Sequence, residues 1–375
     1  MIFNFAEALA TMGQNAAVRV ANAARPPANY LFNTFLPERT QSDYHVEAAN
    51  MVVRTTASGL VGMDSPYPPG GTVEISTFLE QSAKHAITNR LTEGALRQLQ
   101  GLMREMQLAG TLGNDFLVNE ALNFYQKVVL QALLDTDEWL RAQALVYGAI
   151  SWTYNKKTLS VNYGIPAANF LTARTNANND SYSDSASAFW TDVLEARRLL
   201  RYNVRAAIMN SATMDKIIGN PANNLEIVSQ TNQMFQVRKY RTVGGIVVPE
   251  SDARYSMMFT VYDEEMEVID TTAGMSGKTQ TVKFMPDGKV LYIGQNTYNG
   301  YRVGQGSTDN PRNDLELGWH AICPTVEGGG APGRWGRMYV PEGYPMQLVG
   351  EAVENSLPII LANDKIVVAT TELAP

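Results

Sequence analysis

The sequence predicts an α+β protein that carries extended arms, and three observations lead there. One stretch of roughly 33 residues, ending near Gly148, keeps apolar positions at helical spacing. Short alternating segments before and after it read as strands. The first fifty residues combine prolines with apolar side chains in a way that does not suggest a compact unit.

In chain order, the opening MIFNFAEALATMG lacks a basic start and includes Glu7, so it reads as a short docking helix rather than a signal peptide. Between Pro26-Pro27 and Pro37 the chain is expected to run extended, because proline removes a backbone donor and disfavours helix before it. Tyr30, Leu31, Phe32, Phe35 and Leu36 are too apolar for water there, so this arm is expected to lie on another surface, a neighbouring subunit above all. Val52, Val53 and Thr55 begin a strand, Thr72 to Ser76 alternate as a second, and the turn-rich GMDSPYPPGG lies between them. Such an isolated two-stranded arm is marginal in water and needs support.

Ile87, Leu91, Leu96, Leu99, Met103 and Met106 predict a first helix ending near Gly110. The long segment from Gly113-Asn114-Asp115 to Gly148 follows, about 50 Å at 1.5 Å per residue, and acts as a spine. SWTYNKKTLSVNYG predicts a hairpin turning at Asn155-Lys156, and TARTNANNDSYSDSAS a polar loop or boundary. A helix is expected from Ala186 to Tyr202, then a strand, an Asn-Ser turn and a short helix stopped by Pro221. GGIVVPESDARYSMMFTVYD supplies further short strands. Residues 294–343, rich in Gly, Asn and Tyr, are expected to form a large irregular loop. The C-terminus is expected to place strands at Met346–Leu348 and Ile366–Thr370 with a loop between.

Composition narrows the function classes. The chain has 375 residues, 45% hydrophobic and only 18% charged, ample for a large core and suggestive of much surface facing other protein. A net charge of −7 provides no global basic field for nucleic acid. The single cysteine, Cys323, excludes an internal disulfide framework, and the chain reads as assembled inside a cell. No run approaches the roughly 18 apolar residues of a membrane span, so a soluble chain with no membrane partner is expected.

The chemical motifs are weak. Gly277-Lys278-Thr279 ends like a P-loop, but Thr272 stands where the first glycine belongs, and Gly274 comes two residues late. A P-loop must also open a helix, whereas TQTVKFMPDG alternates and meets Pro286. A Gly-rich connection is expected, with a nucleotide-binding protein using Gly274–Thr279 as the rival from another class. His45, His85 and His320 are widely spaced and read as ordinary surface or interface histidines. Cys323 lies three residues from His320, which by itself does not make an activated thiol. Asp135-Asp137-Glu138 and Asp263-Glu264-Glu265 lack calcium-loop spacing and read as solvated acidic faces. Arg197, Arg198, Arg201 and Arg205 are expected in intersubunit ion pairs rather than on nucleic acid. No catalytic, cofactor-binding or metal-ligating residue is assigned, no cofactor is expected, and the chain is not expected to be an enzyme.

Three stretches carry a family resemblance. NYLFNTFLPERT, VKFMPDGKVLYIG and PMQLVGEAVENSLPIILANDKIVVATTEL resemble the N-terminal segment, the Pro-Asp turn before an apolar strand, and the C-terminal block of the lambda-type major capsid protein E family of tailed phages. The spine here is more apolar than is usual in that family. The resemblance implies the Hong-Kong-97-like phage capsid fold. It divides the chain into an N-terminal arm (1–50), an extended loop (51–85), a peripheral domain with the spine helix (86–185), an axial domain (186–345) and a C-terminal return to the peripheral domain (346–375). It implies a virion capsid protein assembled in the bacterial host cytoplasm, forming hexamers and pentamers in an icosahedral shell. That shell would enclose double-stranded DNA without reading its sequence. The implied partners are copies of the chain itself, a portal protein, a scaffolding protein and, in some heads, a decoration protein. An encapsulin-like compartment is the runner-up within the same fold.

Overall fold

The computed structural model describes residues 16–53, 73–98, 101, 115–154, 157–172, 176–243, 246–269, 279–296, 315–342 and 347–372. Helix α1 (Ala16–Ala23) comes first, and the following segment makes one 3-10 turn at Phe32–Thr34 before the short strand β1 (Glu38–Thr40). Two nine-residue strands, β2 (His45–Val53) and β3 (Val73–Gln81), form an antiparallel two-stranded sheet. One residue later β4 (Ala83–Leu91) begins.

The spine helix α2 follows, as an α-helix over Asp115–Phe124, a π turn over Tyr125–Leu130 and an α-helix over Gln131–Tyr147. It stops at Gly148, whose φ of 67° is left-handed, a conformation that costs glycine little. Its second half is buried nearly all round, including Leu133, Leu140, Ala144 and Leu145, as expected of a helix at the centre of a molecule. After it come the hairpin β5 (Ala149–Tyr154) and β6 (Lys157–Asn162), then β7 (Phe170–Leu171) and α3 (Phe189–Leu199).

The next region contains β8 (Val204–Met209), α4 (Ser211–Gly219), β9 (Leu225–Thr231), β10 (Met234–Val243), β11 (Ile246–Pro249) and β12 (Ser256–Val261). The hairpin β13 (Glu265–Ile269) and β14 (Thr279–Lys283) leads to β15 (Lys289–Gly294). The last strands are β16 (Gly318–Cys323), β17 (Trp335–Tyr339), β18 (Leu348–Ile360) and β19 (Ile366–Thr370).

Two larger sheets organise these elements. The eight-stranded sheet runs β11-β10-β12-β8-β15-β19-β7, with β9 also on β10. Its centre is buried on both faces, which is why VLYIG, after Lys289, is an unbroken apolar run. Val290 and Tyr292 join the core with Phe189, Val193 and Met214 of α3 and α4, while Leu291 and Ile293 join the core that holds Leu140 and Leu145 of the spine. The five-stranded sheet is built on β18, thirteen residues long. β4 lines one edge from Leu348 to Ser356, and β17 then β16 follow one another along the opposite edge. β1 lies parallel to β16.

Several sequence expectations change. Tyr30, Phe32, Phe35 and Leu36 are buried on their own chain, in the core around the spine, with the Phe32 ring edge-on to Tyr262 at 5.1 Å. The expected helix at Ile87 and Leu91 is strand β4 instead, because β18 offers a nine-residue edge to pair with, and helix begins only at 93. Residues 294–343 are not wholly irregular, since they contain β16 and β17. The expected loop after Leu348 is β18 itself. Its Pro358 is tolerated because the His320 N–H opposite donates to Pro37 O, away from β18, so Pro358 turns toward the edge that β4 has already left. The last two strands part company, β18 to the five-stranded sheet and β19 to the eight-stranded one. The spine, the 155–156 hairpin strands and the strand-turn-helix at 204–219 stand as read. The readings for residues 1–13, the GMDSPYPPGG tip and the segment from Met103 to Gly110 lie outside the described residues.

Candidate functional site: a buried charge network behind the spine helix

The spine carries three charged side chains in its most buried stretch, Asp137, Glu138 and Arg141, all without solvent exposure. Strand alternation puts His85 of β4, Glu354 and Ser356 of β18, and His320 of β16 on the sheet face against which this part of the helix lies. Glu38 of β1 and Arg334, just before β17, complete the group.

Arg334 is the hub. Its Nε donates to Glu354 Oε2 at 2.6 Å, and one terminal nitrogen donates to Glu38 Oε1 at 2.6 Å and Asp137 Oδ2 at 2.9 Å. Asp137 Oδ1 accepts from Ser356 Oγ at 3.0 Å and faces His320 Nε2 at 3.0 Å. Arg141 donates to Leu36 O at 3.1 Å and pairs with Glu138 and Glu38 at 3.2 and 3.3 Å. Glu138 Oε1 accepts from the Phe32 backbone N–H at 2.7 Å and Tyr262 OH at 2.9 Å. The network therefore ties the N-terminal segment, the spine and both sheets together.

The electrostatics follow from burial and partners. Burial opposes ionisation of Asp137, but His320, His85 and Arg334 overcome it and hold the carboxyl well below its ordinary range. Glu354 is pushed up to about 7, first by burial and then by the Asp137 carboxylate, despite Arg334. Burial lowers His320, whereas for His85 the Asp137 carboxylate outweighs burial and raises it. Both ring nitrogens of His85 and Glu354 Oε1 are buried without a hydrogen-bond partner, and His85 Nε2 stands 3.4 Å from Asp137 Oδ1. Donor atoms of His85, Asp137 and Glu354 all lie within 4.8 Å of one another.

The residues singled out in the sequence fare differently. His85 and His320 are buried in this network and are not surface histidines, while His45 is exposed beside Asp43. Asp137 and Glu138 are buried and paired, not part of a solvated acidic face, whereas Asp263 and Glu265 are exposed. Cys323 alternates to the sheet face opposite His320, and burial pushes its thiol up to about 11, so the two form no activated pair. Arg198 pairs with Glu195, and Arg197 donates to the Ser256 carbonyl, both within the chain.

Thr279 opens strand β14, where a P-loop would need a helix, and residues 270–278 lie outside the described residues. The Met285-Pro286-Asp287-Gly288 turn is a structural joint. Asn210 caps α4 by accepting from Thr213 N at 2.9 Å and donates to Met285 O and Asp287, and Gly288 N donates to Thr213 Oγ1 at 2.9 Å. The network itself was missed. Its sequence signal was three charges, Asp137, Glu138 and Arg141, within about one helical turn and interleaved with the apolar Leu133, Leu134, Leu140 and Ala144 of the spine. Among the described residues, no helix is long and apolar enough to cross a membrane.

Comparison with known proteins places this architecture. The family model described as phage major capsid protein E matches residues 16–304. No curated protein sequence matches the chain significantly. Among solved structures, a protein assigned as a prophage capsid protein in Escherichia coli CFT073 superposes with a TM-score of 0.53 at 12% identity, covering 95% of this chain and 96% of that one. A phage-related protein from Bordetella bronchiseptica RB50 gives 0.48 at 10% identity, with 95% and 96% coverage. The fold likeness rests on the first of these, and it is the Hong-Kong-97-like capsid fold. With the family model spanning most of the sequence, the chain belongs to the phage major capsid protein E family, as a subunit of a capsid shell.

Proposed function

We propose that this chain builds an icosahedral phage head, as pentamers and hexamers, around double-stranded DNA that it does not read. The observation that carries this reading is the β2–β3 hairpin. It belongs to neither large sheet, and a hairpin of two nine-residue strands is at most marginally stable alone in water. Such an arm is stable when it lies across a neighbour, and permanent assemblies typically bury more than about 2,000 Å² per interface. The subunit's work is then mechanical: arms bury on adjacent copies, and loop contacts set shell curvature. The net charge of −7 supports a lining that releases DNA easily.

In this reading the spine and five-stranded sheet form the peripheral domain, and α3, α4 and the eight-stranded sheet the axial one. Because β19 joins the eight-stranded sheet, the C-terminal return is shared between the two. Portal and scaffolding proteins of the same phage are the proposed partners, with assembly in the host cytoplasm. Electron microscopy of the purified protein tests the proposal. Closed shells with five- and six-fold capsomers are expected, and virions should contain DNA. A chain shortened by residues 46–80 should fold yet form no shells. Shells from that shortened chain, or particles filled with protein cargo in place of DNA, would overturn it.

A further inference from the structure

We propose that His85, Asp137 and Glu354 form a binding site for a divalent transition-metal ion, with zinc the first candidate. The geometry supplies three donors from three different elements, β4, the spine and β18, all within 4.8 Å of one another and fully enclosed. A compact acidic cluster alone would not suggest this. The atoms without a hydrogen bond do: on His85, whose side chain is 5% exposed, Nδ1 has no partner and Nε2 has only the Asp137 carboxylate at 3.4 Å, and Glu354 Oε1 is wholly buried. Buried polar atoms without partners are uncommon in native proteins, and here they occur on two of the three clustered residues.

Charge points the same way. The network sets four carboxylates, Glu38, Asp137, Glu138 and Glu354, against two guanidiniums, Arg141 and Arg334. With all four carboxyls ionised and the histidines neutral, the excess is two negative charges, very costly in a low-dielectric interior, and one divalent ion would match it where protons on Glu354 and His85 otherwise do. Arg334 binds Asp137 Oδ2 and Glu354 Oε2; Asp137 Oδ1, which also meets Ser356 and His320, stands 3.4 Å from His85 Nε2, and Glu354 Oε1 has no hydrogen bond. Ser356, His320 and Arg334 would be the outer groups that hold the two carboxylates in place. One imidazole with two carboxylates suits zinc, manganese or cobalt rather than calcium or magnesium. A cleft of about 430 Å³ lined by Glu38, Arg39, Gly333 and Arg334 meets the network at its Glu38–Arg334 pair. The ion would pin the root of the β2–β3 hairpin, four residues before His85, to the spine.

The test uses the full-length subunit after dialysis against a chelator. Calorimetric titration with Zn²⁺ should show one ion bound per chain, and Zn²⁺ should raise the melting temperature relative to chelator. Co²⁺ should produce visible d–d absorption that is absent in His85→Ala and Glu354→Gln. X-ray absorption of the zinc-loaded wild type, which needs no variant to fold, should show one imidazole among oxygen ligands. Failure of the wild type to bind either ion overturns the proposal, and leaves protons as what balances the charge. A zinc shell without imidazole, or unchanged binding in folded His85→Ala, overturns it as well.

Discussion

The molecule has two cores of opposite character. The core beneath α3 and α4 is mainly apolar, with Phe189, Val193, Met214, Phe259 and Tyr292 interlocked, the rings of Phe189 and Trp190 edge-on at 4.9 Å, and the one buried carboxyl of α3, Asp192, accepting from Tyr182 OH at 2.7 Å. The core around the spine is just as enclosed, yet the charge network lies against it. The first draws all its helices and most of its strands from residues 182–293, while the network draws on segments between Glu38 and Ser356. An apolar core tolerates approximate solutions, whereas a buried ionic one is stable only when every partner is present. The spine region should therefore be the more brittle half.

Four substitutions probe that contrast, each read by urea denaturation of the unassembled subunit. Arg334→Ala strips Glu38, Asp137 and Glu354 of their shared partner and should cost about 3–5 kcal/mol, the range for breaking a buried ion pair. Met214→Ala leaves a cavity in the apolar core and should cost about 2–5 kcal/mol. A loss from Met214→Ala clearly larger than that from Arg334→Ala would reverse the ranking of the two cores.

Smaller effects sharpen the picture. Gly336 sits where an added Cβ would fall 1.5 Å from the buried Tyr125 hydroxyl and 3.0 Å from the Glu351 carbonyl, so Gly336→Ala should cost about 1–3 kcal/mol by overpacking. Asp287→Asn should have the smallest effect, and one that depends on pH. Lys283, with help from Asn210, holds the Asp287 carboxyl below its ordinary value. Its contribution is then present above the unfolded value of about 3.9 and is lost as pH falls through the folded one. The difference between wild type and Asp287→Asn should be visible at pH 7 and vanish in strong acid.

The network also shows where sequence reading stopped. The spine, the β5–β6 hairpin and the strand-turn-helix around Asn210 were legible because each is decided by neighbours within a few residues: apolar spacing, turn residues, an Asn cap. β4 was misread because Ile87 and Leu91 fit both periods, and the edge of β18, more than 250 residues away, settled the matter. β18 was read as a loop because its Glu354, Asn355 and Pro358 look wrong for a strand until Arg334, Pro324 and the free edge beside Pro358 account for them.

The sequence by itself determined the class of the protein, its helical spine, its hairpin arm and its membership of a capsid family. Those properties are written in local periodicity and in short motifs such as the Met285-Pro286-Asp287-Gly288 turn, whose neighbour Gly277-Lys278-Thr279 proved the less informative half of its stretch. Only the tertiary structure decided that Phe32 and Leu36 bury on their own chain, and that Asp137 and Glu138 face arginines and histidines rather than water. A charged residue looks the same in sequence whether it is solvated or buried. Its meaning depends on partners that the fold alone delivers.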